Sequence, residues 1–242
     1  MYTEREQGEL VNSMETILAW SGGKDSTATG ILAKIHGIKI DEIVTVMPDP
    51  FEKEFEFIER FEEFMGQKVT IIKSPTFEDY FYRVKKRGLH KGTIYGFPFT
   101  IYKTCARILK WEPMEKYLGG RERKTLIGVA KGENRKLHKA ESLLIKYGLT
   151  EDDARELCVK YDLLNPLYSY FKRLGCVRCP KQGRKALEGV RMLEPNKWNW
   201  LVEHDSESPV KFKPNKTLKE FMGDKFKIAN SNRVCKFDNK EA

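Results

Sequence analysis

The chain has 242 residues, 40% of them apolar and 33% charged, with a formal net charge of +9. That mixture excludes a disordered chain, and no apolar run approaches the ~20 residues that a membrane-crossing helix requires. The positive balance favours anionic ligands, whether nucleotides, sulfated metabolites or nucleic acid.

Residues 1–15 carry acids and no hydrophobic segment, so a secretory signal is not expected and the expected compartment is cytoplasmic. Thr16-Ile17-Leu18-Ala19-Trp20 is a short apolar run that predicts a strand. It enters Ser21-Gly22-Gly23-Lys24-Asp25-Ser26-Thr27, and a helical stretch follows from Ser26 to about His36. Residues 42–47 predict a second strand, closed by Pro48-Asp49-Pro50. Over residues 52–65, Phe57, Ile58, Phe61, Phe64 and Met65 recur at helical spacing with acids between them. Residues 69–72 and 124–129 predict a third and a fourth strand. Thr150, followed by three acids, opens a helix that ends at Asn165-Pro166. Further helices are predicted over residues 185–193 and 196–204, and the lysine-rich chain after Pro209 shows no pattern.

Strands alternating with amphipathic helices imply an α/β fold, a parallel twisted sheet with helices on both faces. Residues 1–165 are expected to form a nucleotide-binding α/β domain. Residues 166–242 are expected to form a helical, cysteine-bearing region packed on it. Ligands of such sheets bind beyond the carboxyl ends of the strands. The turns after Trp20, Met47 and Val129 are therefore expected to converge on one crevice.

The segment 21–27 carries the strongest signal. Gly22 and Gly23 let the backbone turn tightly against an anion, and the following helix adds the positive end of its dipole. Ser21, Ser26 and Thr27 add hydroxyls, and Lys24 adds a mobile charge. The spacing is not GxxxxGK[ST], so a Walker-type loop is not supported.

This segment resembles the pyrophosphate loop (PP-loop) of the adenine-nucleotide α-hydrolase-like superfamily, which includes N-type ATP pyrophosphatases and phosphoadenylylsulfate (PAPS) reductases. The resemblance continues through Asp49, then Phe97-Pro98, Cys105 and Lys110. Gly128-Val129-Ala130 through Glu133 and Arg135 is similar to a later family motif, with Ala130 and Asn134 in place of its usual arginine and serine. Asn165-Pro166-Leu167-Tyr168 and Gly175-Cys176-Val177-Arg178-Cys179-Pro180 complete the likeness, which covers roughly residues 16–203. It implies that Ser21 to Thr27, Asp49, Lys110, Gly128, Glu133 and Arg135 bind ATP or a sulfonucleotide (PAPS or adenylylsulfate), with Mg²⁺ assisting. Each position also has a local reading: Asp49 as a turn residue, Lys110 as a solvated lysine, Glu133 and Arg135 as a local cap and pair.

Five cysteines occur, an odd number that argues for metal or redox chemistry over a disulfide framework. Cys176-x-x-Cys179 can chelate a metal or act as a dithiol. The resemblance places Cys105 beside that pair and implies an iron–sulfur cluster, [4Fe-4S] with an open fourth ligand; zinc and free thiols are the alternatives. Cys158 reads as core, and Cys235 lacks the setting of the family's C-terminal nucleophile.

The expected function is cleavage of the α–β phosphate bond of ATP to adenylate a substrate in sulfur transfer, as the resemblance implies for tRNA thiolation or DNA phosphorothioation. Lys24, Asp25, Cys176 and Cys179 are its expected catalytic residues. A sulfonucleotide reductase releasing sulfite and a non-catalytic nucleotide- or nucleic-acid-binding module are the competing readings. The basic stretch 172–191 suits a nucleic-acid acceptor, and a sulfur-donor protein is a further expected partner.

Overall fold

The structure is a computed structural model and describes residues 14–99 and 104–229. Strands β1 (Glu15–Ala19), β2 (Glu42–Thr45), β3 (Val69–Ile71), β4 (Arg123–Ile127) and β5 (Ala140–Glu141) form one sheet in the order β3-β2-β1-β4-β5. Every pairing is parallel. The chain steps outward from β1 to β3 and then returns to place β4 on the other side of β1. The order therefore reverses between β1 and β4, where α/β sheets open a crevice for ligands.

Strand alternation explains why both faces are covered. Ile17 packs with Val44, Ile72 and Leu118, the last from helix α5 (Glu112–Leu118). Its neighbour Leu18 points the other way, into a larger cluster with Ile43 and Leu126. Ile31 and Leu32 of α1 (Lys24–Ile35), and Phe57 and Phe61 of α2 (Lys53–Met65), close that side. The two helices approach closely at Gly30, where a Cβ would lie 2.7 Å from the Phe61 ring.

The connecting elements are short: α3 (Phe77–Phe81), α4 (Thr104–Ala106), a π-helical turn Arg107–Trp111, and α6 (Leu143–Lys146). Helix α7 (Glu151–Lys160) begins as its sequence predicts. Thr150 accepts from the Asp153 amide at 3.3 Å, and the Asp153 carboxylate accepts from the Thr150 amide at 2.7 Å. Helices α8 (Arg184–Leu193), α9 (Pro195–Glu203) and α10 (Leu218–Met222) surround a second core. That core draws Phe51, Phe77, Phe81 and Phe97 from the earlier chain, so the late helices pack around aromatics supplied from before residue 100. Among the described residues no helix is long and apolar enough to cross a membrane.

Sequence periodicity missed β5, the π-helical turn and helices α3 to α6 and α10, and three of these show why. β5 has two residues, too few to alternate, and is a strand only because it pairs with Thr125 and Leu126. The π-helical turn follows no 3.6-residue period. Helix α10 lies in the stretch whose structure the sequence left open, and it is set by a Thr217–Glu220 capping box.

Candidate functional site

The turns after β1, β2 and β4 meet in one crevice of about 560 Å³ at the carboxyl end of the sheet. Ser21, Gly23, Lys24, Asp25 and Ser26 line it together with Asp49, Lys110, Gly128, Glu133, Arg135 and Cys176. The convergence expected from the sequence is therefore present, and it brings most of the singled-out residues together. Gly22 and Thr27 lie beneath this surface. Gly22 adopts the left-handed φ of +71° that the turn requires, and Thr27 accepts from the Trp20 indole at 3.0 Å.

The loop from Ser21 to Ser26 is braced from within and from the later chain. The Ser21 amide donates to Ser26 Oγ at 3.1 Å, and Ser26 Oγ donates to the Gly23 carbonyl at 3.0 Å. Asn165 Nδ2 donates to the Gly22 carbonyl at 3.0 Å, and the Lys24 amide donates to the Tyr168 hydroxyl at 2.9 Å. Gly23 caps α1 with no side-chain bond. Among the described residues the amides of Gly22, Gly23 and Asp25 have no protein acceptor. Unpaired amides at the positive end of a 12-residue helix form a ready anion cradle.

Lys24 Nζ pairs with Asp25 at 2.7 Å and with Glu151 of α7 at 2.8 Å. Burial works against the Lys24 charge, but these two carboxylates outweigh it and raise its pKa. Burial also raises the Asp25 carboxyl, against the pull of Lys24, whereas the hydrogen bond to Lys24 lowers that of Glu151. Arg135 and Lys172, both exposed on the crevice, form no ion pair among the described residues.

Gly128 has a packing role. A Cβ there would lie 2.3 Å from the Ser26 nitrogen and 2.5 Å from the Asp25 carbonyl carbon. Only glycine lets the end of β4 support the first turn of α1. Glu133 caps its own turn by accepting from the Ala130 amide at 3.0 Å.

On the opposite wall, Asp49 is buried and its carboxylate is fully engaged. It accepts from the Arg178 amide at 2.7 Å and from the Arg178 guanidinium at 3.1 and 2.7 Å. Arg178 also pairs with Glu78 and lies over the rings of Phe77 and Trp200, 4.7 and 5.0 Å from their centroids. Asp49, which sequence reasoning assigned to the nucleotide or its metal, thus anchors the Cys176–Cys179 loop to the end of β2. Arg178 was counted in the basic stretch 172–191, but burial in this clamp removes it from the positive surface.

Cys176 faces the crevice beside Lys110. Burial pushes its thiol up to about 11, with Lys110 pulling the other way, and Cys176 in turn is the chief cause of a raised Lys110. Cys105 and Cys179 are not among the lining residues. Cys105 packs against Tyr80, Ile108 and Leu109, and burial raises its thiol, with Cys179 adding to the effect. The three thiols are thus near neighbours, yet among the described residues no three His, Cys, Asp or Glu side chains converge as a metal-holding group. The ligand set implied for a cluster or zinc is not assembled in this geometry, and no chemical step is derived through it. Cys158 is core, as expected: it is fully buried, pushed up to about 12 by burial, and its thiol donates to the Lys24 carbonyl at 3.3 Å. Cys235 lies outside the described residues.

No family model matches the chain. A curated relative, the uncharacterized protein MJ0066 of Methanocaldococcus jannaschii, is 26% identical over 220 residues, covering 81% of this chain. The chain spans 44% of the length of that relative. Among solved structures, the phosphate complex of a PAPS reductase from Candida auris aligns with 69% of this chain and 84% of its own, at 14% identity and a TM-score of 0.45.

Proposed function

We propose that the crevice binds an adenine nucleotide by its phosphates, and that the chain cleaves the α–β phosphate bond of ATP to adenylate a substrate during sulfur transfer. The observation that carries this reading is the uncapped start of α1. There Gly23 and Asp25, whose amides have no protein acceptor, line the crevice beside Lys24. Such a cradle stabilises charge as it builds on a departing pyrophosphate, because its dipoles are already aimed before the bond breaks. Lys24 leaves Asp25 and Glu151 for a phosphate oxygen, and the unpaired Arg135 and Lys172 are free to meet the outer phosphates. The chemistry that Mg²⁺ bound to ATP would supply is neutralisation of part of the phosphate charge. The adenine and the sulfur rest on the motif resemblance, and Cys176, with Cys179 three residues on, is the thiol placed to serve the adenylated atom.

One observation favours a second reading. Cys176 shares the crevice with the phosphate loop, so a sulfonucleotide held there would bring its sulfate towards a thiol, as sulfite release from PAPS or adenylylsulfate requires.

One experiment separates the two. Anaerobically prepared protein is incubated with ATP–Mg²⁺, and separately with PAPS or adenylylsulfate plus a thiol reductant, and products are resolved by chromatography. AMP and pyrophosphate from ATP, reduced on the order of 10²-fold in Lys24→Ala, support adenylation. Sulfite without ATP turnover supports the reductase. Nucleotide binding with neither product leaves a non-catalytic module.

A further inference from the structure

Glu54 of α2 lines the crevice and has no part in the site described so far. Its position in the sequence is unusual for an acid. Phe57, Ile58 and Phe61 follow it at the spacing of one helical stripe, and all four are buried on the inner face of α2. The neighbouring Glu52, Glu56, Glu59 and Glu63 are exposed, whereas Glu54 is only 7% exposed. A buried acid on an apolar stripe requires partners. One oxygen, Oε2, accepts from the Phe51 amide at 2.8 Å. The other, Oε1, accepts no hydrogen bond among the described residues. It lies 3.8 Å from where a Cβ on Gly22 would stand, beside the phosphate loop.

The charges that face Glu54 are engaged elsewhere. Lys110, on the π-helical turn, sits against Cys176. Lys197 of α9 donates to the Pro50 carbonyl and pairs with Glu194. Asp49, after β2, is held by Arg178, and Lys24 and Asp25 on the loop pair with each other. The Tyr168 hydroxyl is bonded to the Lys24 amide. Among the described residues Glu54 itself forms no ion pair. An ionised carboxylate there would stand desolvated and unpaired against an incoming phosphate, and two like charges in such a site do not both persist. Keeping the proton resolves the conflict, and burial already lifts this carboxyl to about 7. A carboxylic acid also has an O–H to give, on the side where Glu54 has no other partner.

Resting on the phosphate-binding reading above, we propose that Glu54 is a hydrogen-bond donor to the bound phosphate chain, so that nucleotide binding draws a proton from solution into the crevice. Below about pH 7 the free protein already carries that proton, and binding takes up little. Above it, the free carboxyl is ionised and must be reprotonated from the buffer, so affinity falls as pH rises.

The test is isothermal titration calorimetry of the full chain at pH 6 and pH 8, in buffers of low and high ionisation enthalpy. The ligand is the ATP analogue with a methylene between its α and β phosphates, which cannot be cleaved there. At pH 8 the parent should take up roughly half a proton or more per ligand beyond the uptake of Glu54→Gln. Between pH 6 and pH 8 it should lose roughly fivefold to tenfold more affinity than that variant. Ionisation of the ligand itself is common to both proteins and cancels. Glu54→Gln keeps an acceptor for the Phe51 amide and an N–H for the phosphate, so at pH 8 it should bind at least as tightly as the parent. Equal proton counts in the two proteins would overturn the assignment and leave phosphate binding intact. Absence of binding at both pH values would overturn the phosphate reading and the assignment with it. Adenylylsulfate, whose phosphosulfate does not titrate in this range, gives a count that needs no variant. Binding of it at pH 8 without proton uptake by the parent would also overturn the assignment.

Discussion

At the phosphate loop the holding groups are uncharged: an asparagine amide on the Gly22 carbonyl, a tyrosine hydroxyl on the Lys24 amide, and a serine folded back on its own turn. Across the crevice, the cysteine loop is held by ions, with Arg178 between Asp49 and Glu78. The difference bears on what each wall can offer a ligand. Neutral bracing adds no charge of its own at the α1 N-terminus, where Lys24 stands between the Asp25 and Glu151 carboxylates. Ionic bracing sets one guanidinium against two carboxylates and so gives the cysteine loop no net positive charge, with Lys110 the lining cation beside Cys176.

The sharpest way to break this comparison is to remove one ion. Arg178→Met leaves Asp49 buried with only the residue-178 amide as a hydrogen-bond partner, and the expected loss is about 3–5 kcal/mol, read from the midpoint of denaturant unfolding. Cys176 should alkylate faster in the same variant, while the bracing of the phosphate loop is unchanged. An unaltered midpoint would show that the cysteine loop is held by something other than its ions.

Glu54 lies between the two walls. Its Oε1 is 3.8 Å from where a Cβ on Gly22 would stand, and Asp49 adds to its electrostatic surroundings. Burial lifts its carboxyl from 4.5 to about 7. The folded chain therefore keeps a proton that the unfolded chain releases, and the resulting stability is present below pH 4.5 and lost as pH rises through about 7. The loss is on the order of 3 kcal/mol across that window. Unfolding midpoints of Glu54→Gln, followed from pH 5 to 8, should decline less steeply than those of the parent, and parallel curves would remove Glu54 from the account.

The smallest effect sharpens the other side. Gly128→Ala pushes a methyl into the backbone of Asp25 and Ser26, at an expected cost of about 1–3 kcal/mol together with weaker nucleotide binding. Gly175→Ala meets nothing within 4 Å and serves as the control for stability, with an unchanged calorimetric midpoint.

Much of the neutral wall was legible in the sequence, because its parts are consecutive: a strand, seven loop residues and a helix dictate one another over 20 positions. Strands β1 to β4 and the longer helices α1, α2, α7, α8 and α9 were legible for the same reason, and the Thr150 cap was read correctly from four residues. The ionic wall was not. Arg178 is 129 residues from Asp49 and 100 from Glu78, and no local pattern tells a buried arginine from a solvated one. The expected roles of Asp49 and Gly128 followed the motif, whereas burial against Arg178 and backbone contact with α1 gave each a structural duty that the motif does not spell out.

The bonds from Asn165 and Tyr168 to the loop span 143 and 144 residues. A ribosome adding 5–20 residues per second finishes the loop roughly 7–30 seconds before it makes the side chains that brace it. Throughout that interval the nascent chain carries a phosphate loop whose Gly22 carbonyl and Lys24 amide have only water for partners. The braced form of this loop is therefore a feature that the protein acquires late, once Asn165 and Tyr168 have been made.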